Sequence, residues 1–273
     1  MSESRPDFHP PDCKQCQSGG SESPYDWSFI PLAVCISLKE RDDRTSQATE
    51  QFHRVGLCSR VLFYRPERDR SAVPRPSTRG CWESHRKIAT MARDTWKLDR
   101  VLVFEDDVLF DDNVTPERVA QFGKAMASLP GNWNGFFLGH WPLAARPTAT
   151  PNVLRAWSLS AHAYVMHQPL MDWFIAHPFD STALSKSGGL GHDCYFALKP
   201  RMYAFYPMLA YQSGSPSSNP KPKISSRIQD LALSDPKYMK ASQYAGIATY
   251  FVILLAVVAL IVAIVCRLKK KSA

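Results

Sequence analysis

An α/β domain on a mostly parallel sheet, followed by one membrane-spanning helix, is the architecture this sequence predicts. Three observations carry it. Short apolar runs alternate with helical periodicity from residue 32 to about 140, the order that builds βαβ units. One run, Val101-Leu102-Val103-Phe104, is apolar without alternation and reads as a strand buried on both faces. Finally, Gly246–Cys266 holds 21 residues without a charge, enough to cross a bilayer as a helix.

Taken in order, residues 1–27 are rich in Ser, Pro, Gly and Asp and read as a disordered lead. Residues 28–217 form the body. Leu32 to Leu38 is a strand, and a polar turn leads to a helix with Ala48, Phe52 and Val55 on one side and Gly56 as its stop. Val61 to Tyr64 is the next strand. A Pro- and Arg-rich loop over 65–79 precedes a helix from Trp82 to Trp96, with His85, Ile88, Ala92 and Trp96 along one face. After the central strand, Thr115-Pro116 opens a helix, Thr as cap and Pro in the first position, with Val119, Phe122, Met126 and Leu129 as its buried stripe. Phe136 to Leu138 and Ala161 to Met166 are further strands, Pro169 to His177 a helix, and Tyr203 to Tyr211 a last strand. Gly188-Gly189-x-Gly191 is a flexible loop before a short helix opening at His192-Asp193. Residues 218–243 are read as a tether, 244–266 as the membrane helix and 267–273 as a basic tail.

The net charge is +8. Arg267, Lys269, Lys270 and Lys271 supply four of these charges; without them 29 basic residues face 25 acidic ones. The body is only mildly basic and has no basic run interleaved with aromatics, so nucleic acid is not an expected partner. The seven cysteines do not settle the redox compartment. Cys13-x-x-Cys16 has metal or redox spacing but lacks a second pair. The lipid bilayer is the expected partner of 244–266. The positive tail favours a cytoplasmic C-terminus and a lumenal body. Against that, residues 1–26 carry no apolar signal peptide, and Lys270-Lys271-Ser272-Ala273 has the form of a dilysine signal read from the cytosol. An endomembrane such as the endoplasmic reticulum is the expected home. Asn113-Val114-Thr115 is a glycosylation sequon whose use Pro116 opposes.

Glu105-Asp106-Asp107 follows the central strand directly. Three adjacent carboxylates repel, and beside a core they need positive charge against them. Ligands bind at the carboxyl ends of strands in α/β sheets. If the backbone stays extended, Glu105 and Asp107 project to one side and Asp106 to the other. Two oxygen ligands on one side suit Mn2+ or Mg2+; a solvated acidic turn is the rival reading.

Three blocks stand in order along the chain: Ile36-Ser37-Leu38-Lys39-Glu40-Arg41-Asp42-Asp43-Arg44, Gly80-Cys81-Trp82-Glu83-Ser84-His85, and Val101 to Val108. In order and spacing they resemble glycosyltransferase family 25, which includes lipooligosaccharide and procollagen galactosyltransferases. The resemblance extends weakly through Phe137-Leu138-Gly139, Ala163-Tyr164-Val165, His192-Asp193 and Pro207-x-x-x-Tyr211-Gln212, covering about residues 33 to 217. Ser37 stands where the family usually has Asn.

The resemblance implies a GT-A fold and inverting transfer of a hexose, typically galactose, from a UDP-sugar to a glycan or protein hydroxyl. On this reading Glu105 and Asp107 hold the metal. Ser37, Arg41, Arg44, Ser84, His85 and Asp106 lie on the nucleotide side, and Asp106 either contacts the ribose or holds the site. Asp193 takes the acceptor proton, with His192 and Gln212 as acceptor-side or secondary residues. Each has a rival role: Arg41 and Arg44 as solvated charges, Ser84-His85 as a cap and a core histidine, Asp193 as a helix cap. Two other functions fit the same residues. One is a membrane protein that keeps the fold but only binds a glycan or partner. The other is a metal-dependent phosphohydrolase, which would need a second metal cluster.

Overall fold

The pleat of one strand divides the core in two. Strand β4 (Arg100–Glu105) lies inside a seven-stranded sheet. Leu102 and Phe104 join one apolar cluster and Val101 and Val103 the other, all fully buried. Successive side chains leave opposite faces of a strand, so the run lacks alternation because neither face meets water. The computed structural model describes residues 8–12, 23–71, 76–180, 199–213 and 236–271.

The sheet also contains β1 (Phe8–His9), β2 (Ala33–Ile36), β3 (Val61–Tyr64), β6 (Gly135–Pro147), β7 (Val153–His167) and β8 (Met202–Phe205), in the order β1-β3-β2-β4-β7-β6-β8. Strand β2 is parallel to β3 and β4, and β6 is parallel to β8. Strand β7 runs against β4, β6 and β8, and β1 against β3. The sheet is therefore mixed: five of its seven strands point the same way, as expected of a mostly parallel sheet, and β1 and β7 run against them. Helices α1 (Asp42–Arg54) and α3 (Pro116–Ala127) cover one face, through Ala48, Phe52, Val119 and Phe122. Helices α2 (Pro76–Thr90) and α4 (Gln168–Ala176) cover the other, through Trp82, Ile88, Leu170 and Phe174. Gly56 ends the α1 turn at φ +66, a left-handed conformation that glycine adopts without strain. The expected cap on α3 is present: the Thr115 side chain accepts from the Arg118 N–H.

Four elements differ from the sequence reading. Helix α2 begins at Pro76 rather than Trp82, and a wider turn over Met91–Thr95 extends it. The expected last strand is two: β8, then β9 (Ala210–Gln212), with a cis Tyr206–Pro207 bond between them. Strand β9 leaves the main sheet and pairs with β5 (Val108–Phe110). Strands β6 and β7 run far past the expected Phe136–Leu138 and Ala161–Met166, as a long antiparallel ribbon. Gly139, Pro142 and Pro147 read as breakers in the sequence. The ladder absorbs Gly139 and Pro142 with register shifts between Phe137 and Gly139, Gly139 and Trp141, and Pro142 and Ala144, and Pro147 closes it opposite Leu154.

The fourth difference is at the C-terminus. Helix α5 (Pro236–Lys271) takes in residues 236–243 of the expected tether. Its stretch Lys240–Ile264 is long and apolar enough to cross a membrane. The first turns dock on the body. Gln243, 1% exposed, donates from Nε2 to the Phe205 carbonyl at 3.1 Å and to His140 Nε2 at 3.0 Å. Its Oε1 accepts from the Met208 N–H at 3.0 Å. Lys240 Nζ lies 2.6 Å from Asp111 Oδ2, and Tyr250 stacks on Trp157 with ring centroids 6.2 Å apart. Beyond this, every side chain from Phe251 to Ile264 is exposed.

Candidate functional site

Parallel pairing of β2 with β4 sets Ile36 opposite Glu105. The next residue on each strand, Ser37 and Asp106, therefore leaves the sheet at the same level. Ser37 Oγ donates to Asp106 Oδ2 at 2.8 Å. Helix α1 starts just beyond β2 and delivers Arg44, whose Nη1 donates to Asp106 Oδ1 at 2.8 Å. Both carboxylate oxygens are thus held. Ser37, Arg44 and Asp106 are all buried, and an ionised carboxylate there needs such partners.

Glu105 follows the pleat to the opposite face, the side of Val101 and Val103. There it meets the second sequence block on α2. Glu105 Oε1 lies 3.8 Å from Cys81 Sγ and 3.8 Å from His85 Nε2. Cys81 and His85 are one helical turn apart, so they share a helix face. His85 is fully buried, and its Nδ1 is 2.9 Å from Tyr164 Oη. Ser84 points elsewhere and donates back to the Gly80 carbonyl at 2.7 Å; it is inside α2, not a cap.

Asp107 departs from the expected alternation. The chain turns at Asp106–Asp107, so the pleat no longer dictates its direction, and Glu105 and Asp107 are not two teeth of one extended strand. Asp107 Oδ2 lies 3.9 Å from Arg44 Nη1 and accepts from Gln212 Nε2 at 3.4 Å. Its backbone carbonyl accepts from Ser213 at 2.7 Å. Oδ1 is buried with no hydrogen-bond partner among the described residues. Burial, then the charge of Glu105, pushes the Asp107 carboxyl up to about 8, against the opposing pull of Arg44. A buried carboxylate oxygen without a partner, beside a second carboxylate, is what a hard divalent cation would satisfy, so the residues present fit the expected metal.

Arg41 stands at the start of α1 and is gripped by Asp43 through Nε at 2.9 Å and Nη2 at 2.8 Å. Asp43 holds its pKa up most strongly, with smaller contributions from Asp106 and Asp107, so the guanidinium lies within the field of the carboxylate cluster. Asp193 and His192 lie outside the described residues, as do Gly188–Gly191, Cys13 and Cys16. The structure thus brings Ser37, Arg44, Asp106, Asp107 and Gln212 together on one side of the strand ends. His85 and Glu105 meet on the other, and Ser84 is not part of either group. Sequence reasoning misses Cys81 and Tyr164 as site residues; the spacing of Cys81 and His85 on a helix is the available signal for the first. Tyr164 sits on a distant strand, where the only signal is the weak resemblance over Ala163-Tyr164-Val165.

No family model matches the chain, and no curated protein matches it. Among solved structures it is similar to A197 from STIV, at 12% identity and a TM-score of 0.40, covering 67% of this chain and 85% of that one. It is similar to a glycosyltransferase involved in glycosylation of the major capsid of PBCV-1, at 10% identity and 0.40, covering 74% and 98%. A mannose-1-phosphate geranyltransferase from Thermus thermophilus follows at 10% identity and 0.33, covering 65% and 73%. Identities this low concern the fold alone.

Proposed function

We propose that this chain is a membrane-anchored glycosyltransferase that moves a hexose from a UDP-sugar to a hydroxyl of a glycan or protein. The observation that supports it is convergence. Three blocks of sequence resembling family 25, far apart along the chain, meet at the carboxyl ends of β2 and β4 through the Ser37–Asp106, Arg44–Asp106 and His85–Glu105 contacts.

In this reading Asp107 would hold Mn2+ or Mg2+, joined by Glu105, which faces the other side of the strand end but lies near enough for its charge to act on Asp107. The cation, when bound, would neutralise the pyrophosphate as the glycosidic bond breaks. Arg44, anchored by Asp106, keeps one fixed positive charge beside that carboxylate pair. Asp106 is spent on Ser37 and Arg44, so it orients the site rather than gripping the ribose. Arg41, at the mouth of the same strand end, is placed to brace phosphate oxygens by charge-assisted hydrogen bonds. Gln212 holds Asp107 Oδ2. Asp193 accepts the proton of the attacking hydroxyl on a carboxylate oxygen, on the face opposite UDP, which gives inversion.

Cys58 is disulfide-bonded, a state favoured in oxidising compartments. With the basic tail, this supports a lumenal body anchored by α5 in an endomembrane.

A screen of UDP-sugars with the full-length chain in detergent, read by mass spectrometry, tests the reading. Manganese-dependent release of UDP, lost in Asp107→Ala, is the expected result. Asp193→Ala should keep nucleotide binding and lose transfer. Silence toward every UDP-sugar, with no nucleotide bound, would remove it.

A further inference from the structure

Cys81, His85 and Glu105 place a sulfur, an imidazole nitrogen and a carboxylate oxygen within 4.8 Å of one another. We infer that this trio is a site for a soft divalent cation, zinc first, distinct from the hard-cation position at Asp107. The two share only Glu105.

The donor set decides the metal. Thiolate and imidazole select zinc over magnesium or manganese, which prefer carboxylate, carbonyl and water oxygens. The geometry is close to what zinc needs. With bonds of about 2.0 Å to nitrogen or oxygen and about 2.3 Å to sulfur, tetrahedral ligands stand on the order of 3.5 Å apart. Two of the three separations are 3.8 Å, so small side-chain rotations close the site. Three protein ligands leave a fourth position for water.

The imidazole is held for the task. His85 Nδ1 pairs with Tyr164 Oη at 2.9 Å, and His85 stacks on Phe174 with centroids 6.0 Å apart. With its proton on Nδ1 donated to Tyr164, the Nε2 lone pair faces Glu105 Oε1 and Cys81 Sγ. That is the orienting hydrogen bond metal-bound histidines make. Burial at 0% exposure fixes the ring. Cys81 and Glu105 are both partly exposed, which gives an ion a way in. Without metal, the Cys81 thiol proton points to Glu105 Oε1; on binding, that proton goes to solvent and the thiolate bonds the cation. Zinc here draws Glu105 toward α2 and away from Asp107.

Cobalt(II) is the probe, because a thiolate–cobalt bond produces a charge-transfer absorption and tetrahedral sites give intense ligand-field bands. The chelator-treated full-length chain in detergent should show both, and stoichiometric zinc should abolish them. Cys81→Ser should remove the charge-transfer band while circular dichroism and melting stay native. Tyr164→Phe should weaken zinc binding by about 10- to 100-fold, as loss of an orienting partner does. Asp107→Asn should keep the cobalt spectrum even if manganese-dependent nucleotide binding fails, which separates this site from the transferase reading. A chain that gives no thiolate–cobalt band, or one whose band survives Cys81→Ser, overturns the proposal.

Discussion

Arg44 and Asp106 meet at 2.8 Å where α1 crosses the end of β4, with side chains only 7% and 10% exposed. This pair neutralises one of three clustered carboxylates from inside the fold. Removing one partner of a buried ion pair leaves a charge that can neither hydrate nor pair. Arg44→Met should therefore destabilise the chain by about 3–5 kcal/mol, measured by chemical denaturation. Ser37→Ala removes a single hydrogen bond to the same carboxylate and should cost about 1 kcal/mol. Equal losses from the two would show that Arg44 does not carry the charge balance.

Asp107 makes the chain's stability depend on pH in a direction that a bound cation reverses. Burial and Glu105 raise its folded pKa to about 8 from an ordinary value of 3.8. The folded chain keeps a proton that the unfolded chain has already lost, so the stabilising contribution is full below the ordinary value. It is lost as pH rises through the folded one. Metal-free wild type should lose melting temperature relative to Asp107→Asn, progressively, from pH 5 to pH 9. Manganese should restore the wild type at the alkaline end, by about 2.7 kcal/mol at a concentration 100 times its dissociation constant. It should leave Asp107→Asn unmoved. A difference between the two that stays constant with pH in the absence of metal contradicts the placement of Asp107.

The layered sheet was legible because its physics is local. The unbroken apolarity of Val101–Phe104, the Thr115-Pro116 start and the Ala48–Phe52 stripe each follow from nearest neighbours. The convergence of Ser37, Arg44 and Asp106 was legible only through the family-like blocks, since it depends on the register of β2 against β4. The side on which Asp107 falls was not, because one turn after Glu105 replaces the pleat as the rule. The long β6–β7 ribbon was hidden by Gly139 and Pro142, whose cost is met by register shifts the sequence does not display. Likewise Gln243 looks like a tether residue until His140, Phe205 and Met208 are folded around it.

His140 and His162 are buried, and burial pushes them down to about 3 and about 4. For His140 the hydrogen bonds agree. Its Nε2 accepts from Gln243, so Nδ1 carries the proton to Ser158 Oγ at 3.0 Å. A second proton would set N–H against N–H. Lowered folded values mean that the unfolded chain binds protons first as pH falls below 6.5, so stability present at neutral pH is lost on acidification. At pH 5 each histidine should cost about 2 kcal/mol. Full-length wild type should lose melting temperature relative to His140→Asn as pH falls from 7.5 to 5. A difference between the two that does not change with pH would mean that the ring is solvated.

The docked start of α5 makes the last prediction. Gly246 lies against Pro142 so closely that a Cβ there would come within 2.7 Å of the Pro142 Cβ. A β-branched side chain cannot fit unless helix and ribbon part. Gly246→Val should undock the helix and expose Gln243, Met208 and the His140 network to water. Gln243→Ala attacks the same contact chemically, leaving the Met208 N–H and the Phe205 carbonyl without their partner, at about 1–3 kcal/mol for each buried group. Both variants should still insert in membranes, since Phe251–Ile264 is untouched. Both should become sensitive to protease between the body and the bilayer. Hydrogen exchange at Met208 N–H gives the finer readout, and it should accelerate in both. If the backbone around Met208 stays protected in Gly246→Val, the helix is not seated on the body, and the segment before the membrane is the loose tether its composition first implied.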